Sequence, residues 1–504
     1  MRLPLLSILI FLPLLGAAVV AGLDRRRDQV IRWAGLVAAL LALAVAGLIA
    51  VRFAAGTAAM QFEERATWVP SSGIGYHLGV DGIALPLVLL TALMLPLGLL
   101  SSWGSVTERV KEFTISMLVL ETALLGTFLS LDLVLFYVFW DAVLIPMYFI
   151  IGLWGGPRRA YAAVKFILYT MAGSALMLIA IIALYVHSGT VLDARTFDLV
   201  ALRSLDVPMP LQAWLFGAFA LAFAIKVPVW PLHTWLPDAH VEAPTAGSVL
   251  LAAVLLKMGT YGFLRFLLPL FPEAANLFAP LMVTLAVIGI LYGGIVSWAQ
   301  RDMKRLVAMS SVSHLGFVTL GVFALTVEGL QGSLLQMVNH GISTGGLFLL
   351  VGVLYDRTHS RQLADYGGVA ALMPRFAVIS SIIMLSSMGL PGTNGFVGEF
   401  LILLGAFRAN PAYAAWAVGG VVLSAIYLLW MYQRVMHGPV RVAEPARVRE
   451  IGTREFLVFA PLIALIFWIG FYPNALLRRS EASIQAIVER VRPAAQETAA
   501  GERP

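Results

Sequence analysis

The segment Phe223-Ala224-Ile225-Lys226-Val227-Pro228-Val229-Trp230-Pro231-Leu232-His233 sets a lysine, two prolines and a histidine in an otherwise apolar run. A second segment, Met388-Gly389-Leu390-Pro391-Gly392-Thr393-Asn394-Gly395-Phe396-Val397-Gly398-Glu399, does the same with a proline, four glycines and a carboxylate. Proline removes an N–H and clashes with the preceding turn, and glycine adds backbone freedom. Each segment therefore interrupts a helix. At membrane depth such a break survives only where it is buried in protein or lines a wet cavity. Paired interruptions are the sequence mark of an ion path through a transporter-like fold.

The surrounding chain supports a membrane setting. Of 504 residues, 60% are hydrophobic and only 12% are charged. A soluble domain carries about 25% charge, so a soluble chain of this length lacks the polar residues to cover its surface. A span needs roughly 20 mainly apolar residues. About fourteen such stretches are present, near 3–22, 30–51, 82–101, 113–131, 133–153, 163–186, 211–238, 246–268, 277–298, 306–325, 331–354, 376–408, 412–436 and 456–473. The expectation is one all-α integral membrane domain over 1–504, with the seventh and twelfth helices broken. The first stretch has features of a secretory signal and is expected to be a retained helix. The two breaks lie five spans apart. Because five is odd, two five-span units in tandem would be inverted relative to each other.

Arginine and lysine placement sets the expected orientation. With the N-terminus outside, the inner loops hold 20 basic residues against 7 outside, leaving aside five in the C-terminal segment. By the positive-inside rule both termini are then on the periplasmic side of a bacterial inner membrane. The net charge of +6 is thus a topology signal, not a nucleic-acid signal. In the tail, 474–504, Ile484, Ile487, Val488 and Val491 mark an amphipathic helix. It reads equally as a frayed surface helix or as a docking segment for a neighbouring subunit.

Charge inside the spans is sparse and specific. Of five lysines, Lys226 and Lys257 lie at mid-span, as do the acidic Glu121, Asp141 and Glu399 and the imidazoles His314 and His340. A charge at the bilayer centre costs about 2.5–3.5 kcal/mol by insertion scales, so these groups should face the bundle interior and find partners. Asn339, His340, Ser343 and Thr344 share one helix face, and Ser310, Ser311, Ser313 and His314 cluster similarly. Hydroxyls and imidazoles beside carboxylates and amines can hold water and pass protons. A buried amine favours its neutral form and a nearby carboxylate favours its charged form, which is the basis of a lysine-centred switch. Each histidine alone reads more simply as a hydrogen-bonded core residue. His233 and His240, at the end of the seventh span, are weaker candidates for an entry or exit. No two histidines share metal-ligand spacing on one helix. With no cysteine, thiolate-held iron–sulfur clusters and disulfides are excluded from this chain.

These residues sit in long recognisable stretches: Leu131-Asp132-Leu133-Val134-Leu135-Phe136-Tyr137 running into Trp140-Asp141 and Leu144-Ile145-Pro146-Met147-Tyr148; Leu232-His233-Thr234-Trp235-Leu236-Pro237-Asp238-Ala239-His240; Glu242-Ala243-Pro244-Thr245-Ala246-Gly247-Ser248; Leu256-Lys257-Met258-Gly259; Ser310-Ser311-Val312-Ser313-His314-Leu315-Gly316; and Leu390-Pro391-Gly392-Thr393 to Glu399-Phe400. In them the chain resembles the antiporter-like membrane subunits of respiratory complex I, the proton-pumping NADH–quinone oxidoreductase, and their relatives in Mrp-type cation/proton antiporters. The glutamate in the broken twelfth helix, and the short stretch after the last span, fit the chain M or subunit 4 type within that family.

The resemblance implies two inverted five-helix repeats, 113–268 and 277–436. It implies Lys226 as a switch lysine, Lys257 as a connecting lysine, Glu399 as a distal carboxylate, and His314 and His340 along a hydrated axis. It also implies FMN, iron–sulfur clusters and quinone in partner subunits, with no cofactor in this chain. The expected partners are other membrane and peripheral subunits of that complex, including sister antiporter-like subunits, and the lipid bilayer. Asp141 departs from the family's usual glutamate, which shortens its reach to Lys226 by about a bond length, roughly 1–1.5 Å. Glu121 on the preceding span is an alternative partner. Two other readings stand beside the first: an Mrp-type antiporter subunit that uses no NADH, and a scaffold that holds pump subunits together.

Overall fold

The computed structural model describes residues 3–192 and 195–492. Thirteen helices among the described residues are long and apolar enough to cross a membrane. They are α1 Leu5–Gly22, α2 Asp28–Arg52, α3 Ala84–Ser101, α4 Val110–Leu129, α5 Leu133–Trp154, α6 Arg159–Val191, α7 Met209–Lys226, α9 Thr245–Leu270, α10 Pro272–Trp298, α11 Met303–Phe323, α12 Val327–Thr358, α15 Pro411–Met436 and α16 Thr453–Phe471. The expected twelfth span is instead two shorter helices, α13 Pro374–Ser387 and α14 Asn394–Ala409, parted at the Pro391–Thr393 turn. The expected seventh span is likewise α7, a turn over 227–234, and the short α8 Trp235–Glu242. Helix α17, Asn474–Val491, follows the last span.

The helical membrane fold holds, with one small addition: β1 Gln61–Val69 and β2 Ile74–Val80 form an antiparallel hairpin between α2 and α3. Strand β1 reads Gln-Phe-Glu-Glu-Arg-Ala-Thr-Trp-Val and the Pro70–Gly73 turn closes it, a β signal that a search for 20-residue apolar runs passes over.

The bundle has two distinct ends. At the hairpin end His77 Nδ1 lies 2.6 Å from Asp198, and Asp81 pairs with Arg265 in a buried contact. The tail helix α17 lies across this end. Its Ile484, Ile487 and Val491 are buried against the chain's own helices, and Asn276 Nδ2 donates to Val491 O at 2.7 Å. This helix is therefore packed on its own bundle, which neither sequence reading anticipated. Residues 493–504 of the tail lie outside the described residues.

The opposite end carries the arginine-rich loops. There Arg357 and Glu455 form a two-bond pair at 2.8 Å each, and Lys304 donates to Ala243 O. Burial grades across the bundle. The apolar stretches of α1 and α2 are largely exposed on the chain's surface, whereas those of α9 and α11 are wholly buried and that of α12 nearly so. In a bilayer, polar side chains are tolerated on such inner helices because neighbours can satisfy them. These three helices bear Lys257, His314 and His340.

Candidate proton path

The first break places Lys226 at the last turn of α7, where it is 1% exposed. The helix ends here because Pro228 cannot continue it. The freed backbone is partly satisfied locally: Trp235 Nε1 donates to Ile225 O at 2.9 Å, and Val229 N to Ala224 O at 2.9 Å. The Lys226 ammonium has no hydrogen-bond partner and stands 4.9 Å from the centre of the Trp140 ring. Asp141, next to that tryptophan on α5, accepts a 2.5 Å hydrogen bond from Ser174 Oγ. No ion pair within 4.0 Å joins Asp141 to Lys226 among the described residues. The hydrogen bond from Ser174 holds the carboxylate.

Helix α9 carries the next group. It widens to π-helical turns at Leu251–Leu255 and Phe263–Leu267, on either side of Lys257. Such turns free carbonyls from the usual ladder. Lys257 Nζ uses one, donating to Ala252 O at 2.5 Å, and lies 2.6 Å from His340 Nδ1. Gly259 lets the end of α7 come close, because a Cβ there would sit 2.7 Å from Phe223 O. The Lys226 and Lys257 elements are therefore packed backbone to backbone.

From His340 the chain of polar groups continues. The His340 and His314 rings are 6.0 Å apart, centre to centre. His314 Nδ1 is 3.0 Å from Glu399 Oε1, and its Nε2 is 3.1 Å from Tyr427 OH. Gln336 Nε2 donates to the same Glu399 oxygen at 3.0 Å. Glu399 reaches this spot because α14 starts immediately after the second break. Asn339 Nδ2 donates to Asn394 O at 2.7 Å, and Ser386 Oγ to Asn394 Oδ1 at 2.5 Å, so side chains replace the lost ladder. Gly398 has no room for a side chain, since a Cβ would meet Gln336 Oε1 and Asn339 Nδ2.

Lys257, His340, His314 and Glu399 are thus one buried series, each no more than 5% exposed. Every member can both take up and give up a proton, and His340 Nε2 is left without a partner, open to a bridging group. Two sequence candidates fall outside the series. Glu121 is fully buried on α4, and neither carboxylate oxygen meets a hydrogen-bond partner among the described residues. His233 lies in the turn after α7 with its ring edge against Tyr292, at 5.1 Å, away from the lysine–histidine contacts. Conversely, Gln336 and Tyr427 contact the series, and Ser174 contacts Asp141, without having been singled out. His240, the weaker candidate, is buried and stacked on Phe348 at 4.5 Å with both ring nitrogens unpartnered. Gln336 had a signal: it stands four residues before His340, on the same helix face.

Known proteins share this fold. Residues 130–426 match the family described as NADH:quinone oxidoreductase/Mrp antiporter, transmembrane region, and residues 40–127 match NADH-ubiquinone oxidoreductase chain 4, amino terminus. The fold and its charged interior therefore define an antiporter-like membrane subunit. NADH-quinone oxidoreductase subunit M of Rhodobacter capsulatus is 47% identical over 502 residues, which cover 96% of each chain. A chain of respiratory complex I from Thermus thermophilus, solved with bound NADH, superposes with a TM-score of 0.88 at 34% identity, covering 97% of this chain and all of that one. The Mrp complex of Dietzia sp. DQ12-45-1b shares the fold, with a TM-score of 0.81, at 23% identity and over 52% of its chain. This chain belongs to the subunit M, or chain 4, family of NADH–quinone oxidoreductase membrane subunits.

Proposed function

We propose that the chain is the proton-translocating subunit M of an NADH–quinone oxidoreductase and moves protons outward as partner subunits pass electrons from NADH to quinone. The observation that carries this is the buried series Lys257–His340–His314–Glu399, joined through the α7–α9 packing to Lys226 and Asp141. Asp141 supports the charge on Lys226. Its approach or withdrawal changes the cost of that charge, and Lys257 and the two imidazoles pass the change or the proton toward Glu399. One charge against 100 mV costs about 2.3 kcal/mol. A carboxylate 4 Å from an ammonium is worth about 4 kcal/mol at an effective dielectric constant of 20, so closing and opening that contact is of the size required.

The rest of the reading follows. The absence of cysteine leaves no thiolate in this chain to hold an iron–sulfur cluster. On this reading FMN, iron–sulfur clusters and quinone are carried by partner subunits. Residues 113–268 and 277–436 act as two inverted repeats within a single membrane domain. The arginine-rich end faces the cytoplasm, and the hairpin, α17 and both termini face the periplasm of a bacterial inner membrane. The Mrp antiporter reading has support in the shared fold, but close relatives over the whole chain are complex I subunits.

The test is Lys226→Ala in the intact complex. NADH-driven acidification of inverted membrane vesicles should fall several-fold while the complex assembles normally. Wild-type pumping in the assembled variant would refute the proposal, and sodium–proton exchange without NADH would favour the antiporter instead.

A further inference from the structure

We propose that the cleft at the arginine-rich end of α15 seats the phosphate headgroup of an anionic glycerophospholipid. The cleft has a volume of about 480 Å³ and is lined by Tyr366, Trp430, Gln433, Arg434, His437 and Arg441, among others. Its rim is built by two hydrogen-bonded loops: Gly368 N donates to His437 O at 3.0 Å and Arg441 N to Gly367 O at 3.4 Å. Gly368 and Gly438 make the turns with positive φ of 64° and 86°.

Among the described residues, neither Arg434 nor Arg441 is in an ion pair. Arg434, His437 and Arg441 are exposed. Arg434 stacks on Trp430 at 4.7 Å, which fixes its guanidinium without neutralising it. Ion pairs at this end of the bundle, Arg357–Glu455 and Arg361–Asp302, use other arginines. Asp365 accepts a hydrogen bond from Ser360 Oγ at 2.5 Å. Two guanidiniums with free donors make a fork suited to phosphate oxygens.

A lipid also needs a place for its tail, and α15 supplies one. Val418, Val422, Ile426 and Leu429 are exposed. They recur at i, i+4, i+8 and i+11 and lead to Gln433 at the mouth of the cleft. Over that stretch the helix rises about 22 Å, at roughly 1.5 Å per residue, against a hydrocarbon half-thickness of about 15 Å. Trp430, one turn below the arginines, stands where interfacial tryptophans sit. A basic pocket between helices at the interface is a recurring headgroup site. A free phosphate would share the arginines but gain nothing from the apolar stripe.

The experiment uses the intact complex in phosphatidylcholine nanodiscs doped with phosphatidylglycerol that carries a photoreactive acyl chain. Peptide mapping reads the label on 418–433. The site predicts heavy labelling there and about tenfold less from phosphatidylcholine with the same chain. Arg434→Gln with Arg441→Gln should lower the phosphatidylglycerol label about tenfold, Arg434→Lys with Arg441→Lys should retain most of it, and inorganic phosphate should not displace it. Equal labelling by the two lipids, unchanged labelling in the glutamine pair, or displacement by phosphate would overturn the proposal. So would cross-linking of Gln433→Cys to a neighbouring subunit in place of lipid labelling, which would make the cleft a protein contact.

Discussion

Glu399→Gln separates charge from shape at the end of the buried series. Glu399 Oε1 accepts two hydrogen bonds, from His314 Nδ1 and Gln336 Nε2, each at 3.0 Å. A glutamine carbonyl can occupy the same position and accept both, so the geometry survives. What changes is the quality of the bonds: hydrogen bonds to a charged group are worth about 1.5–3 kcal/mol and neutral ones about 0.5–1.5 kcal/mol. Two such bonds put the stability loss at about 2–3 kcal/mol, confined to the α11–α12–α14 contact. The whole bundle can carry that, so assembly, read by native gel, should be normal. The titratable group is gone, however, and NADH-driven pumping should fall several-fold, with quinone reduction slowed in coupled membranes. Glu399→Asp keeps the charge but draws it back by about 1.5 Å, one C–C bond. The 3.0 Å contact with His314 then opens to a distance that one water can bridge. Aspartate is therefore expected to retain a good part of the activity. Full pumping by an assembled Glu399→Gln complex would reduce Glu399 to a structural hydrogen-bond acceptor and refute the relay at that point.

Two further substitutions address the rest of the arrangement. Asp141→Asn keeps the bond from Ser174 but removes the charge that acts on Lys226, so pumping should drop, whereas Asp141→Glu should be near normal because Lys226 Nζ has no competing partner; normal vesicle acidification in the asparagine variant would exclude Asp141 as the partner. Asp81→Asn leaves Arg265 as a buried, half-paired cation at the hairpin end, and losing one partner of a buried pair costs about 3–5 kcal/mol; the yield of assembled complex and its heat stability should both fall, and an unchanged melting profile would show that the pair is dispensable.

Much of this was legible in the sequence because the membrane enforces simple rules. The thirteen long helices follow apolar run length, and both breaks fall where Pro228 and the Pro391–Gly395 run require them. Lys257, His314, His340 and Glu399 stood out because an ionisable group in an apolar run is costly, and they do converge. Burial cost says that a group needs an environment, however, not which neighbour provides it. Glu121 has the same sequence signature as Glu399, yet it is buried with no hydrogen-bond partner among the described residues. Arg265 shows the converse. It falls near the end of the 246–268 stretch and draws no attention there, while the structure buries it with Asp81, nearly two hundred residues away in sequence. The π-turns flanking Lys257 arise from the packing of α9 among its neighbours and leave no local signature. The docking of α17 depends on surfaces from Arg203, Pro269 and Asn276, which only the folded bundle brings together.

The central claim is that protons cross this chain through the lysine–histidine–carboxylate series. The most direct measurement is the number of protons pumped per NADH oxidised by the intact complex in sealed proteoliposomes, wild type against Lys257→Met. Methionine fills the cavity without a charge and removes the 2.6 Å contact to His340. The account predicts a lower ratio in a complex that still assembles and still reduces quinone. An unchanged ratio at normal assembly would contradict it.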